Sequence, residues 1–229
     1  MNKNFFISLF SLFFLIQCDY NQKQNKSFPS FDSEYFLKKS RKNKLLYLDS
    51  LFFSAKLSLN SSLTRKFLLD ISAQYYFQNE TNKSFEVSKN ALKFSIAAKD
   101  TLNIAKSYYY LGDSYESTKK DSAYYYYQKA EKLYRLLIND ELIGKMLFNK
   151  AYLLFFEGNY LESEIMVSNS LQLLKNSKEK QLIFSCYNLI GTNFEKLEEY
   201  EESLKYYLLA KESLNNLMKN GNDFDQKNN

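Results

Sequence analysis

The chain of 229 residues contains no His, no Trp, one Pro, five Gly and two Cys. Without His, the commonest general base and metal ligand is gone, and with it every Ser–His or Cys–His nucleophilic pair. So little Pro and Gly leaves few of the turns that a sheet of many hairpins needs, and long helices are the expectation. Cys18 closes an apolar leader and Cys186 lies far along the chain, so a structural disulfide between them is not expected. Neither a glycine-rich phosphate loop nor a Cys or His metal spacing is present. Glu195, Glu198, Glu199, Glu201 and Glu202 surround a polar helix boundary where nothing would raise a pKa for acid catalysis. The chain therefore reads as non-enzymatic, with no cofactor and no metal.

What is present is apolar and aromatic. Hydrophobic residues make up 45% of the chain, enough for one substantial core, and the rings come from 20 Tyr and 20 Phe. The net charge of +5 is spread among interleaved residues of both signs, so the field that attracts nucleic acid is weak and no nucleic-acid partner is expected. Cys186, among Ile183, Phe184 and Tyr187, reads as a small buried hydrophobe.

Lys3 precedes an apolar run from Phe5 to Ile16, of signal-segment length and too short to span a bilayer comfortably. The run ends in Leu15-Ile16-Gln17-Cys18, which resembles the lipobox of bacterial lipoproteins, although Gln17 stands where that pattern has a small residue. The resemblance implies a signal peptide over 1–17, lipidation of Cys18 and anchoring to a bacterial membrane at the cell envelope. An uncleaved anchor or a plain secretory signal are the other readings, and all three export the chain. Residues 18–31 are polar, hold the only Pro, and read as a flexible tether. A basic cluster follows at Lys38, Lys39, Arg41, Lys42 and Lys44, read as a solvated face or as a contact for anionic headgroups.

From there a period of about forty residues runs through the chain. Tyr187, Ile190, Gly191 and Phe194, then Ser203, Tyr207 and Ala210, repeat the order of Tyr108, Leu111, Gly112 and Tyr115, then Ala123, Tyr127 and Ala130. Weaker copies are Leu68, Ile71, Ser72 and Tyr75 with Ser84, Ser88 and Ala91, and Leu147, Lys150, Ala151 and Leu154 with Ser163, Val167 and Ser170. Small residues at fixed places let two helices cross closely, and the neighbouring large ones fill the remaining volume. Each copy is thus a helical hairpin that buries its apolar face only by stacking on the next. The predicted helices cover 63–78, 82–98, 101–117, 120–138, 141–157, 160–175, 179–197 and 199–219, with a capping helix or pair over 32–62 and a polar tail over 220–229.

The order of large and small residues resembles the tetratricopeptide repeat, an all-α, right-handed α-solenoid of helical hairpins, here about four of them across residues 63–219. The resemblance implies that the first helix of each hairpin lines a groove for a protein or peptide. Carried onto this chain, the groove positions include Tyr76 and Phe77 in the first hairpin, and Lys106, Tyr109, Asp113 and Glu116 in the second. Lys145, Phe148, Tyr152, Phe155 and Phe156 follow in the third, and Asn188 and Thr192 in the fourth. The rings of the third hairpin have two readings, as anchors for a partner or as packing between helices. The subgroup that clamps a peptide carboxylate uses Lys and Asn where this chain has Tyr109 and Asp113, so no such clamp is expected.

The functional expectation is a protein- or peptide-binding scaffold anchored at the envelope. Its alternative is a sensory repeat region, like those of histidine kinases or transcriptional regulators, without its effector. Leu204, Leu208, Leu209, Leu214 and Leu217 leave the last helix more apolar than one neighbour covers, which has two readings, a homodimer through that helix or a partially frayed end.

Overall fold

The computed structural model describes residues 36–58 and 60–227; the leader, Cys18 and the tether lie outside them. Nine helices run through the described residues, with no strand among them: α1 (Arg41–Leu57), α2 (Ser62–Phe77), α3 (Thr81–Ala97), α4 (Thr101–Tyr115), α5 (Lys120–Leu136), α6 (Asp140–Phe156), α7 (Tyr160–Leu174), α8 (Lys180–Lys196) and α9 (Tyr200–Lys227). Each packs on the next, and α2 also meets α4, as α6 meets α8. The result is an α-solenoid of four hairpins with α1 stacked on the first.

The hairpins close at the places the period marks. Ser72, Ala151, Ser84, Ala123 and Ser163 are fully buried at equivalent crossings, as are Ala91, Ala130 and Ser170 one turn or two further on. Gly112 allows the closest approach, and Gly144 and Gly191 allow ones nearly as close. A Cβ on Gly112 would lie 2.5 Å from Cε1 of Tyr127, and one on Gly191 would lie 2.9 Å from Cδ1 of Tyr207. Buried serines satisfy themselves against the facing backbone: Ser163 Oγ donates to the Ala151 carbonyl at 2.8 Å, and Ser170 Oγ to that of Gly144 at 2.6 Å.

With glycine scarce, the turns are built by other residues. Asn79, Lys99, Ile138 and Glu198 adopt φ of 60°, 53°, 52° and 64°, and Gly158 joins them at 83°. Each follows a helix whose final carbonyls it helps to close, as where Glu80 N donates to the Tyr75 carbonyl and Asn139 N to that of Tyr134. Helix starts are capped by Ser40, Ser61, Asp100 and Asn139, whose side chains accept from the backbone N–H three residues on.

The helices from α2 to α8 match their predicted spans to within about two residues at either end. The predicted end of α9 at 219 is short: the helix continues to Lys227. One interior glycine, Gly221, costs about 1 kcal/mol and does not stop a helix that no Pro interrupts. On α9, Leu204 and Leu208 are 61% and 57% exposed. Arg41 of the basic cluster is held by structure, donating to the Gln78 carbonyl and to Glu80 Oε1.

Two opposite changes in thermal unfolding follow. Gly112→Ala pushes a methyl into a fully buried, hydrogen-bonded ring, so despite better helix propensity it destabilises by about 1–2 kcal/mol and lowers Tm by several degrees. Gly191→Ala meets Cδ1 of the half-buried Tyr207 at 2.9 Å and the Ser203 carbonyl oxygen at 3.3 Å, a looser fit than at Gly112, and lowers Tm by less. Ile138→Gly removes a β-branched residue from left-handed backbone at a site 86% exposed, and raises Tm by a few degrees. A lowered Tm in the last variant would contradict the strain assignment.

Candidate functional site

The first helices of the hairpins, α2, α4, α6 and α8, form one layer. Whereas α2 packs directly on α4 and α6 on α8, α4 and α6 stand further apart, and side chains fill the gap. There Tyr76 from α2, Tyr109, Asp113 and Glu116 at the α4 end, and Phe148, Asn149 and Tyr152 from α6 surround an open cavity of about 210 Å³. Phe148 and Tyr152 stack with centroids 6.3 Å apart, and Phe156 meets the edge of Tyr152 at 4.7 Å, extending the aromatic surface outward.

Two carboxyl groups lie at the cavity's floor and rim, three residues apart on one face of the helix. Asp113 is only 5% exposed. The Tyr127 hydroxyl, arriving from α5, donates to Asp113 Oδ1 at 2.8 Å and lies 3.2 Å from Glu116 Oε2. Tyr109 also hydrogen-bonds Asp113, and the Tyr76 hydroxyl donates to Glu116 Oε2 at 3.3 Å. Burial pushes the Asp113 carboxyl up to about 7, against the pull of the Tyr127 and Tyr109 hydroxyls. Burial first and the adjacent carboxylates second raise the phenols of Tyr76, Tyr109 and Tyr127.

A smaller cavity of about 120 Å³ adjoins the first across Tyr109, and its lining includes Lys66, Asp70, Lys106 and Lys145. Lys145 Nζ sits 4.5 Å from the Tyr109 ring centroid, on the side of this second space. Of the residues singled out from sequence, Tyr76, Tyr109, Asp113, Phe148 and Tyr152 thus come together, and Lys106 and Lys145 line the adjoining space. Phe77 is 69% exposed beside Tyr76, outside both linings. Phe155 does not line either cavity: it packs on Tyr160 at 5.5 Å and on the core around Ile190, which is the packing alternative for that ring. Asn188 and Thr192, one hairpin on, lie apart from the cluster; Thr192 Oγ1 donates to the Asn188 carbonyl and accepts from the Tyr207 hydroxyl. Asn149 was missed by the sequence reading, although it precedes Tyr152 by three positions and so shares its face.

The likenesses found are structural. RapI in its apo form superposes with a TM-score of 0.70 at 13% identity, over 80% of this chain and 68% of that one. A putative kinesin light chain from Podosopora anserina, with nearly identical TPR-like repeats, gives 0.61 at 8% identity over 79% and 90%. A Rap protein complexed with Competence and Sporulation Factor gives 0.65 at 17% identity over 79% of this chain; the chain spans about half, 51%, of that protein's length. The fold is of tetratricopeptide type. No family model matches the chain, and no curated protein matches it by sequence.

The site carries a pH signature. Folded, Asp113 keeps its proton to about pH 7, whereas the unfolded chain releases it near 3.8. Stability from this group is therefore full below about pH 4 and lost as pH rises to about 7. No His competes in that window. Tm is expected to fall between about pH 4 and pH 7, and Asp113→Asn, which still accepts from Tyr127, to remove most of that slope. An unchanged slope in the variant would place the titration elsewhere.

Proposed function

We propose that the chain is a non-enzymatic scaffold that holds a peptide segment of a partner protein along its layer of first helices, tethered to a bacterial membrane through lipid on Cys18. One observation carries the binding reading: rings and carboxyls from three successive first helices converge on one open cavity. Rings anchored at their backs bury large area on binding at low entropic cost. The Rap protein named above, of similar fold, is complexed with Competence and Sporulation Factor, which supports reading this chain too as one that holds a partner. The tether reading rests on Leu15-Ile16-Gln17-Cys18, and among the described residues no helix is long and apolar enough to cross a membrane.

The binding reading is tested by placing a photo-crosslinking residue at exposed position 156 and irradiating intact cells. A discrete adduct is expected, lost in a Tyr76→Ala/Tyr152→Ala variant that still melts cooperatively, and absent when the crosslinker sits instead at position 125. Persistence of the adduct in the variant would exclude this surface as the docking site. Separately, Cys18→Ser is expected to move the protein out of the membrane fraction. Retention of the variant there would exclude lipid on Cys18 as the anchor.

A further inference from the structure

Buried carboxylates elsewhere in this protein have cationic partners. Asp100 is paired with Arg65 at 2.9 Å, and Glu131 with Lys150 at 2.6 Å. Asp113 is the exception: its partners, like those of Glu116 at the partly exposed rim, are tyrosine hydroxyls, and no Lys or Arg among the described residues lies within ion-pair distance of either. An unpaired carboxylate out of water is costly unless it is neutralised or meets a cation. Around these two groups stand Tyr76, Tyr109, Phe148 and Tyr152, whose ring faces attract positive charge, most strongly where water is excluded.

We propose that this cavity receives a cationic group, the guanidinium or ammonium of an arginine or lysine side chain presented by the bound peptide. The inference rests on the peptide-holding reading above and adds the chemistry of its occupant. The space of about 210 Å³ opens to solvent on one side and suits the end of one side chain. A guanidinium entering flat over Tyr152 or Phe148 reaches Glu116 at the rim and Asp113 at the floor, supplying the counter-ion that the fold itself supplies for Glu131. The same two carboxyls repel a peptide's terminal carboxylate, so selectivity is for positive charge.

Entry of a cation favours the charged form of Asp113, so binding releases a proton and strengthens as pH rises toward 7. The groups facing Asp113 are Tyr127 from α5, Tyr109 and Glu116 on its own segment, and Lys145 from α6; Glu116 raises its pKa and Lys145 lowers it. Those tyrosines stay neutral throughout that range, leaving Asp113 to set the profile.

The test is an NMR titration of the full chain in detergent, with ring-labelled tyrosines assigned through single Tyr→Phe variants. The probes are n-butylguanidinium and tetramethylammonium, with neopentyl alcohol as the neutral control and butyrate as the anionic one. Expected are saturable shifts of the Tyr76, Tyr109 and Tyr152 rings with the cations, at about millimolar Kd, and at least about tenfold weaker effects of the controls. Asp113→Asn/Glu116→Gln should weaken the cations about tenfold and flatten the pH dependence, with ring dispersion preserved. If that double variant loses its dispersion, Glu116→Gln alone, at the partly exposed rim, should still weaken them severalfold. No saturation by either cation, equal response to the alcohol, or undiminished binding in the carboxyl variants would overturn the proposal. A retained crosslinked partner alongside any of these would leave the scaffold reading standing; loss of both would remove both.

Discussion

Where α4 crosses α5, Gly112 offers no Cβ and the ring of Tyr127 lies directly against its backbone. That approach does two things at once. It closes the second hairpin, since Tyr127 is fully buried with Ala123 and Ala130 on either side of it along α5. It also carries the phenol through the crossing, so that the hydroxyl emerges beside Asp113, the very next residue after the glycine. Packing and site are therefore coupled by a single ring: a bulkier residue at 112 would displace the hydroxyl as well as the helix. In the fourth hairpin the same geometry places the Tyr207 ring on Gly191, but there the neighbouring position is Thr192 and the hydroxyl reaches Glu195 at 2.6 Å in an exposed setting. The scaffold repeats, while the chemistry set upon it does not.

Burial treats the protein's charges in two ways, and the contrast explains the character of the site. At the repeat position held by Ile71, Leu111 and Ile190, the third hairpin has Lys150, only 6% exposed. Its ammonium is neutralised by Glu131 across the boundary between α5 and α6, with Arg135 on the same carboxylate, and it also lies over the Tyr124 ring. That interface is a satisfied ionic contact, in which removing one partner would strand the other. On α4, Asp113 is equally buried but takes its hydrogen bonds from tyrosine hydroxyls, and burial raises its proton affinity. The first arrangement is self-sufficient; the second is complete only with a proton or an external cation.

Much of the architecture was legible because close crossings demand small residues at fixed intervals, and Ser72, Gly112, Ala151 and Gly191 mark them plainly in the sequence. The ends of α2 to α8 were legible to about two residues for the same reason: the period constrains both hairpin arms. The turns were not. Nothing in Lys99, Ile138 or Glu198 announces left-handed backbone, which is imposed by the need to close the preceding helix and start the next within three residues. The pairing of Lys150 with Glu131 was equally hidden, since it joins two hairpins rather than recurring within them. In the site, family position alone could assign Tyr109, Asp113 and Tyr152 to one layer of helices. It could not say that Asp113 turns inward, because this depends on Tyr127 and Tyr109 both presenting hydroxyls to it.

The division between Tyr152 and Phe155 shows how finely that layer is partitioned. Three residues along a helix amount to a rotation of about 60° between side chains, enough to send one ring to the cavity and the other to the core around Ile190 and Tyr160. Aromatic content therefore does not distinguish a binding face from a packing face in this protein; both are built of Tyr and Phe. What distinguishes them is the company each ring keeps. The rings turned inward meet Leu, Ile and Val, whereas those around the cavity meet Asp113, Glu116 and Asn149, polar groups that a packed core would exclude or pair internally.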